Sequence, residues 1–429
     1  MHALNDPATE TPPADHLAWF RDARFGLFMH WGSYAIKGFE ASWPLVFGDI
    51  SYAEYEALAG RFNPQRYDPV AWAALAKAAG VRYAVLTSKH HDGYALYDTQ
   101  LSDYSAPRSA AGCDLLAPYV EAFRAAGIKV GFYFSLCDWH HPDYPVKNAE
   151  TGMFSERPPD ALPPGVPASI AAEPARWERY LAFMHGQVRE LCTRFGKIDL
   201  LWFDGQWEHT AEEWRAGELV RMIRELQPEI VINDRLADRM LGDYATPEQN
   251  VPVEAPDRMW ETCMTINETW AYNPRDRAFK SSAEIIATLA ETTSKGGNLL
   301  LNVGPSADGE ILPEFSSRLD VIGAWLGRNG EAIYGAGPGL PPGAYYGPST
   351  GKQDAIYLHV LGQPADGAIR VRGLGRRVVR ASVLGTGAPL EFDQHGGNLE
   401  AGLLRLFLPR ANLEPLVTVI KLQLAPAGK

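Results

Sequence analysis

Ile198-Asp199-Leu200-Leu201-Trp202-Phe203-Asp204-Gly205 is apolar or aromatic at five of its eight positions, follows a helical segment closed by Gly196, and ends in a carboxylate beside a glycine. A strand covered by helices on both faces has no polar side, so a near-continuous apolar run of this length reads as a buried parallel strand. Its C-terminal tip carries Asp204. In barrels and doubly wound sheets the chemistry sits at such tips, which makes Asp204 a candidate catalytic group. Asp is also common as a cap or turn residue, and this run alone does not choose between the two readings.

The same grammar of apolar run and polar tip recurs along the chain. Phe25-Gly26-Leu27-Phe28-Met29 leads to His30-Trp31-Gly32, residues 81–87 lead to Lys89-His90-His91-Asp92-Gly93, residues 128–136 lead to Asp138-Trp139-His140-His141, and residues 229–232 lead to Asn233-Asp234-Arg235. A late run, Asn298-Leu299-Leu300-Leu301-Asn302-Val303, exits through Gly304-Pro305. Helical patterns at 17–24, 69–79, 115–126, 176–194, 212–226, 282–294 and 314–329 alternate with these runs, several of them stopped by glycine. Such alternation predicts a (β/α)₈-like barrel over residues 1–335, with missing or replaced helices after Asn233, where the helical pattern thins out. A proline-rich stretch at 142–175 without periodicity predicts a long loop over the active face. Beyond Gly335 short β-rich runs at 355–361, 368–371, 377–383, 404–408 and 417–424 predict a small antiparallel β-sandwich over residues 336–429.

Composition narrows the function. Lys and Arg number 40 against 52 Asp and Glu, a net charge of −12 with no basic run, which argues against nucleic acid or any broad anionic partner. The start of the chain lacks a basic region followed by an apolar one, and no stretch of eighteen apolar residues occurs. The expectation is therefore a cytoplasmic protein with no membrane partner. Cys113, Cys137, Cys192 and Cys263 show no metal-type spacing and read as reduced core thiols. The 12 Trp suit the apolar faces of sugar rings as well as a large core.

Gathered at strand tips, His30, His90, His91, Asp204 and Arg235, with Glu248 and Glu261 in the less regular stretch beyond, would line one mouth rich in donors with a carboxylate pair. Neutral sugars need such a site, and the pair is what cleaves a glycosidic bond. A zinc hydrolase is the first rival, but its ligands commonly come as His-x-His on a strand, whereas the pairs here are adjacent, so the expectation is no metal and no cofactor. A carbohydrate-binding protein without turnover, or a glycoside hydrolase of another sugar specificity, is the second.

The motifs His30-Trp31-Gly32, Lys89-His90-His91-Asp92-Gly93, Gly131-Phe132-Tyr133-Phe134-Ser135, Leu201-Trp202-Phe203-Asp204-Gly205, Asn233-Asp234-Arg235 and the run Lys295 to Pro305, in this order, resemble the α-L-fucosidases of glycoside hydrolase family 29. The resemblance covers the chain from about residue 17 onward. It implies a retaining, metal-free hydrolase of terminal α-L-fucosyl groups on oligosaccharides or glycoconjugates, built as a (β/α)₈-like barrel with a C-terminal β-sandwich. It implies Asp204 as nucleophile, sugar contacts from His30, Trp43, His90, His91, Tyr133, Trp202 and Arg235, and an aromatic wall from Trp270. Many relatives have Glu before the Trp matched by Trp43; here Ser42 stands there, removing one expected hydroxyl contact. The resemblance also implies Glu248, in its Thr-Pro-Glu setting, as the acid/base, with Glu261 as the alternative; Trp260-Glu261 begins what reads as the next strand, where Glu261 could equally support the site from behind or hold the substrate. An apolar setting is expected to keep the acid protonated while Arg235 and the histidines keep Asp204 ionised. Fucosyl linkage is not legible, and a homo-oligomer is left open.

Overall fold

The computed structural model describes residues 15–146, 157–395 and 402–426. Seven strands, β1 (Phe25–Met29), β2 (Tyr83–Lys89), β3 (Lys129–Ser135), β4 (Leu200–Asp204), β5 (Val231–Ile232), β6 (Glu261–Thr265) and β7 (Asn298–Val303), form one curled parallel sheet. Their order is β5-β4-β3-β2-β1-β7-β6. The edges β5 and β6 do not pair directly. Residues 244–248 take the eighth place between them through isolated parallel bridges, Asn233 to Tyr244, Ala245 to Trp260 and Glu248 to Cys263. The result is a (β/α)₈-like barrel with one irregular stave.

Helices Pro69–Ala78, Leu116–Ala125, Pro174–Arg194, Ala216–Leu226, Ser282–Ser294 and Pro313–Asn329 cover the sheet. Their starts follow local chemistry: Asp68 accepts from Ala71 N at one end, and Ser281 with Glu284 forms a capping box at another. After β5 only the 3₁₀ turn Arg239–Leu241 intervenes before β6, so helices are missing where the sequence predicted. The fifth strand is shorter than the 229–235 run, because the chain leaves the ladder after Ile232 to cross to the irregular stave.

From Gly337 onward the strands are antiparallel, in a five-stranded and a three-stranded sheet. Leu358, Ile420 and Leu422 of the first share one apolar core with Ile369, Leu404 and Leu406 of the second, which makes a β-sandwich. Three strands escaped the sequence reading, Gly337–Pro338, Ser349–Lys352 and Glu391–His395, because they carry little apolar alternation. The sandwich joins the barrel through the helix Pro313–Asn329, where Trp325 Nε1 donates to Val417 O at 2.8 Å.

Residues 147–156 of the predicted long loop lie outside the described residues, and among the described ones none of 142–175 lines the active-face cavity. Cys137, Cys192 and Cys263 are buried free thiols as expected, but Cys113 is exposed, since it lies in the turn before the helix Leu116–Ala125 rather than on its packed face. Among the described residues no helix is long and apolar enough to cross a membrane.

One ion pair ties the tip of β2 to the loop after β3. Lys89 Nζ lies 3.1 Å from Asp138 Oδ2, with side chains 0% and 3% exposed. Asp138 also accepts from His140 N and His141 N. Removing one partner strands a buried charge, so Asp138→Ala is expected to cost about 3–5 kcal/mol. Chemical denaturation checks this, and a loss below about 1 kcal/mol would show that the pair is solvated in the native state.

Candidate active site

Side chains along a strand alternate faces, so every second residue of each strand enters the barrel. On β4, Leu201 and Phe203 pack outward in the core under the helices, whereas Leu200, Trp202 and Asp204 point inward. The same phase brings Phe28 and then His30 inward at β1, Tyr133 and Ser135 at β3, and Asn302 at β7. The interior is thus layered: a polar bottom at Glu261, an aromatic middle of Phe28, Tyr133 and Trp202, and a polar mouth at His30, Asn302 and Asp204. Gly205 lets the chain turn away at once, at φ +77°, and a Cβ there would meet Cys137 Sγ at 2.6 Å.

Asp204 is 8% exposed. Its Oδ1 accepts from Arg235 Nη1 at 2.9 Å and its Oδ2 from Tyr133 OH at 3.0 Å, while His91 Nε2 stands off at 3.8 Å. Burial alone would push this carboxyl up. That is the largest single influence, but the Arg235 charge together with the hydrogen bonds from Arg235 and Tyr133 outweighs it, so Asp204 titrates below the usual carboxylate range; the charge comes from Arg235 and not, as the sequence suggested, from the histidines as well. Arg235 lies 4.6 Å over the Trp202 ring and donates from Nη2 to Glu248 Oε2 at 2.6 Å. One guanidinium therefore holds both carboxylates.

The histidines are neutral. Burial pushes His30 and His91 down to about 4 and His90 well below its ordinary value. Asn302 Nδ2 donates to Trp270 O at 2.7 Å, which turns its Oδ1 toward His30 Nδ1 at 2.7 Å. His30 therefore carries its proton on Nδ1 and keeps Nε2 as an acceptor. Likewise Ser135 Oγ donates to Cys137 O and accepts from His91 Nδ1, both at 2.7 Å. Ser42, at the position of the missing Glu, holds His90 Nδ1 at 2.6 Å.

These groups open on a cavity of about 590 Å³, within the range of ligand pockets. Nine of the eleven predicted residues line it: His30, Trp43, His90, His91, Trp202, Asp204, Arg235, Glu248 and Trp270. Tyr133 stands behind Asp204 as its hydrogen-bond donor. Glu261 is a correction. As the first residue of β6 it sits at the bottom of the barrel, 0% exposed, accepting from Trp202 Nε1 at 3.0 Å, from Tyr244 OH at 3.3 Å and from Tyr83 OH. The Trp202 indole lies between it and the cavity, so neither sugar contact nor proton delivery is open to it. The apolar setting expected around the acid is also absent at Glu248, whose side chain is 39% exposed and paired with Arg235.

Sequence reasoning passed over Glu40. Its carboxylate accepts from Trp270 N at 2.9 and 3.1 Å, and burial, with Glu248 and Asp276 nearby, raises it to about 7 despite those backbone donors. It lies two residues before Ser42, the position where relatives have Glu, which was the available signal. Trp207, stacked on Trp43 at 6.2 Å, was signalled only by lying three residues after Asp204. Among the described residues no group of three or more His, Cys, Asp or Glu side chains converges as a metal site does.

A family model described as alpha-L-fucosidase matches residues 5–331. The chain belongs to the alpha-L-fucosidase family. The tissue alpha-L-fucosidase of Bos taurus is 30% identical, over 94% of this chain and 88% of that one. Among solved structures, alpha-L-fucosidase isoenzyme 1 from Paenibacillus thiaminolyticus is 41% identical with a TM-score of 0.85, covering 96% of this chain and 99% of that one. A GH29 alpha-L-fucosidase from Bacteroides thetaiotaomicron, solved as a trapped covalent intermediate with 2-fluoro-fucosyl fluoride, is 29% identical with a TM-score of 0.85, covering 99% of this chain and 100% of that one. The (β/α)₈-like barrel and sandwich of this fucosidase relative therefore extend over nearly the full length of both bacterial structures.

Proposed function

We propose that this chain is an exo-acting α-L-fucosidase that removes terminal α-L-fucosyl residues from oligosaccharides or glycoconjugates with retention of configuration. The observation that carries the reading is the bridge Asp204–Arg235–Glu248 at the mouth of an aromatic, histidine-lined cavity. A retaining enzyme needs an ionised carboxylate and a second carboxyl a short distance away, and the shared guanidinium supports that spacing.

In this reading an Asp204 oxygen attacks the anomeric carbon. The glycosidic C–O bond breaks, its electron pair goes to the leaving oxygen, and Glu248 supplies that oxygen with a proton. Water then attacks the same carbon, gives its proton to the Glu248 carboxylate, and releases Asp204. His30, His90, His91 and Glu40 hold the sugar hydroxyls, the neutral histidines each with a ring nitrogen to offer. Trp202 floors the site and Trp270 walls it, with Trp43 at the entrance. Residues 1–335 form the catalytic unit and 336–429 its β-sandwich. The free thiols support a reducing, cytoplasmic setting.

The test is hydrolysis of 4-nitrophenyl α-L-fucoside followed by proton NMR of the first product. Two displacements at one carbon cancel, so α-L-fucose is expected to appear before mutarotation. Initial release of the β-anomer would exclude a covalent intermediate, and binding without release of nitrophenol would favour a carbohydrate-binding protein instead.

A further inference from the structure

Ser135, the last residue of β3, stands behind the cavity lining, fully buried. Strand register sets it directly beside Asp204, and the main chain joins the two again where Leu136 N donates to Asp204 O at 2.7 Å. We propose that Ser135 is a positioning residue for the nucleophile: it holds the His91 proton on Nδ1, so that Nε2 faces Asp204 as a bare acceptor and Asp204 is spared a third hydrogen-bond donor.

The argument is a count of protons. A serine hydroxyl has one to give, and that of Ser135 goes to Cys137 O at 2.7 Å, because a carbonyl only accepts. The contact of 2.7 Å between Ser135 Oγ and His91 Nδ1 therefore takes its proton from the ring. His91 is neutral, so a proton on Nδ1 leaves Nε2 without one. The Cys137 thiol, 3.3 Å from Nδ1, is a weak partner beside a hydroxyl. His90 and Trp139 pack on the imidazole, with ring centroids 4.1 and 5.0 Å away, which opposes a flip that would exchange the two nitrogens.

The consequence falls on Asp204. Nε2 stands 3.8 Å from Asp204 Oδ2, beyond hydrogen-bond range. Were the proton on Nε2, a small shift of the ring would deliver it to that oxygen, alongside the donors Arg235 and Tyr133. A further donor stabilises the ionised carboxylate, and a carboxylate so stabilised attacks carbon more slowly. With the proton on Nδ1 two acceptors face one another instead, and a sugar hydroxyl that enters between them is bound as a donor. The turn after the nucleophile is shaped round the same serine, since a Cβ at Gly205 would lie 3.0 Å from Ser135 Oγ. The purpose given to Ser135 rests on the fucosidase reading, whereas the placement of the proton does not.

The experiment is nitrogen NMR of the histidine rings in the full chain, with His91→Gln assigning the signals, beside kcat and KM on 4-nitrophenyl α-L-fucoside. The wild type is expected to show His91 protonated at Nδ1 and bare at Nε2. Ser135→Ala is expected to stay folded by thermal melting, to exchange those two states, and to lose about 10–100-fold in kcat, the scale on which removing the partner that orients a ligating histidine acts, with KM changed less than about threefold. Cys137→Ala keeps the main-chain carbonyl and is expected to keep the wild-type ring pattern. An Nε2–H in the wild type overturns the proposal whether or not any variant folds. An unchanged ring pattern in Ser135→Ala overturns it too, as does an exchange in Cys137→Ala, which would give the task to the thiol. Exchange in Ser135→Ala without a fall in kcat overturns the role at the nucleophile. A wild type with the expected ring pattern that releases no nitrophenol overturns the fucosidase reading, and with it the purpose of the serine.

Discussion

Asp204→Gly is expected to lower turnover by about 10⁴-fold or more, the scale on which loss of a covalent nucleophile falls, while the protein stays folded. No other carboxylate shares its place at the tip of β4: Glu40, Glu248 and Glu268 line the cavity from other segments, and Glu261 is sealed beneath Trp202. The fold survives because Arg235 keeps Glu248, Thr246 and the face of Trp202 as partners. Added azide is expected to restore cleavage of 4-nitrophenyl α-L-fucoside by attacking the anomeric carbon from the vacated side, leaving β-L-fucosyl azide as the product. Nitrophenol release with and without azide, together with thermal melting, makes the measurement. Near wild-type activity in the variant would remove Asp204 from the mechanism.

Glu248→Ala is expected to lose about 10²–10⁴-fold on a natural fucosyl oligosaccharide and far less on the aryl fucoside, whose leaving oxygen needs no proton. Glu261→Ala provides the contrast. It orphans Trp202 Nε1 and the hydroxyls of Tyr83 and Tyr244, so both substrates are expected to slow alike and stability to drop by roughly 1–3 kcal/mol for each buried donor left unpaired. Ratios of kcat/KM for the two substrates decide the matter. Should the leaving-group dependence appear in Glu261→Ala instead, the barrel must rearrange to expose that residue, and Glu248 loses its role.

The parts of the site legible from the pattern of apolar runs sit at strand tips or just past them, whereas Trp43, Glu248 and Trp270 were legible only through the family resemblance. Asp204, His30, His90, His91 and Arg235 each end an apolar run, and alternation within a parallel barrel leaves such a residue little choice but to face the mouth. Glu261 shows the limit of that reasoning. The sequence does place Trp260-Glu261 at the start of a strand, but only the packed barrel shows that the Trp202 indole stands between that start and the cavity. Glu40 was illegible for another reason. Its place depends on the backbone of Trp270, 230 positions away, which turns an ordinary loop acid into a fixed carboxyl of the cavity. The depth of the C-terminal sheets was underread because an edge strand such as Glu391–His395 needs backbone partners on one side only, not an apolar face.

The irregular stave at 244–248 has a consequence for how this enzyme can be re-engineered. On one side it is laced to residues 259–263 by four backbone hydrogen bonds, from Ala245 N, Gln249 N, Glu261 N and Cys263 N. On the other, its backbone meets β5 chiefly where Asp243 N reaches Ile232 O, and Pro247 has no N–H to offer. Glu248 is therefore positioned from β6, whereas Asp204 is positioned from β3 and β4. Between Arg235 and Asp243 the chain adds no strand pairing to the support of either carboxylate, its ties running instead from Arg258 to Arg239 O and Gly242 O. Changes of length in that connection that keep the two bonds from Arg258 are expected to leave the strand-held carboxylates in place. A library built there would remodel the flank of the barrel between β5 and β6 and leave the strands that carry the two carboxylates as they are.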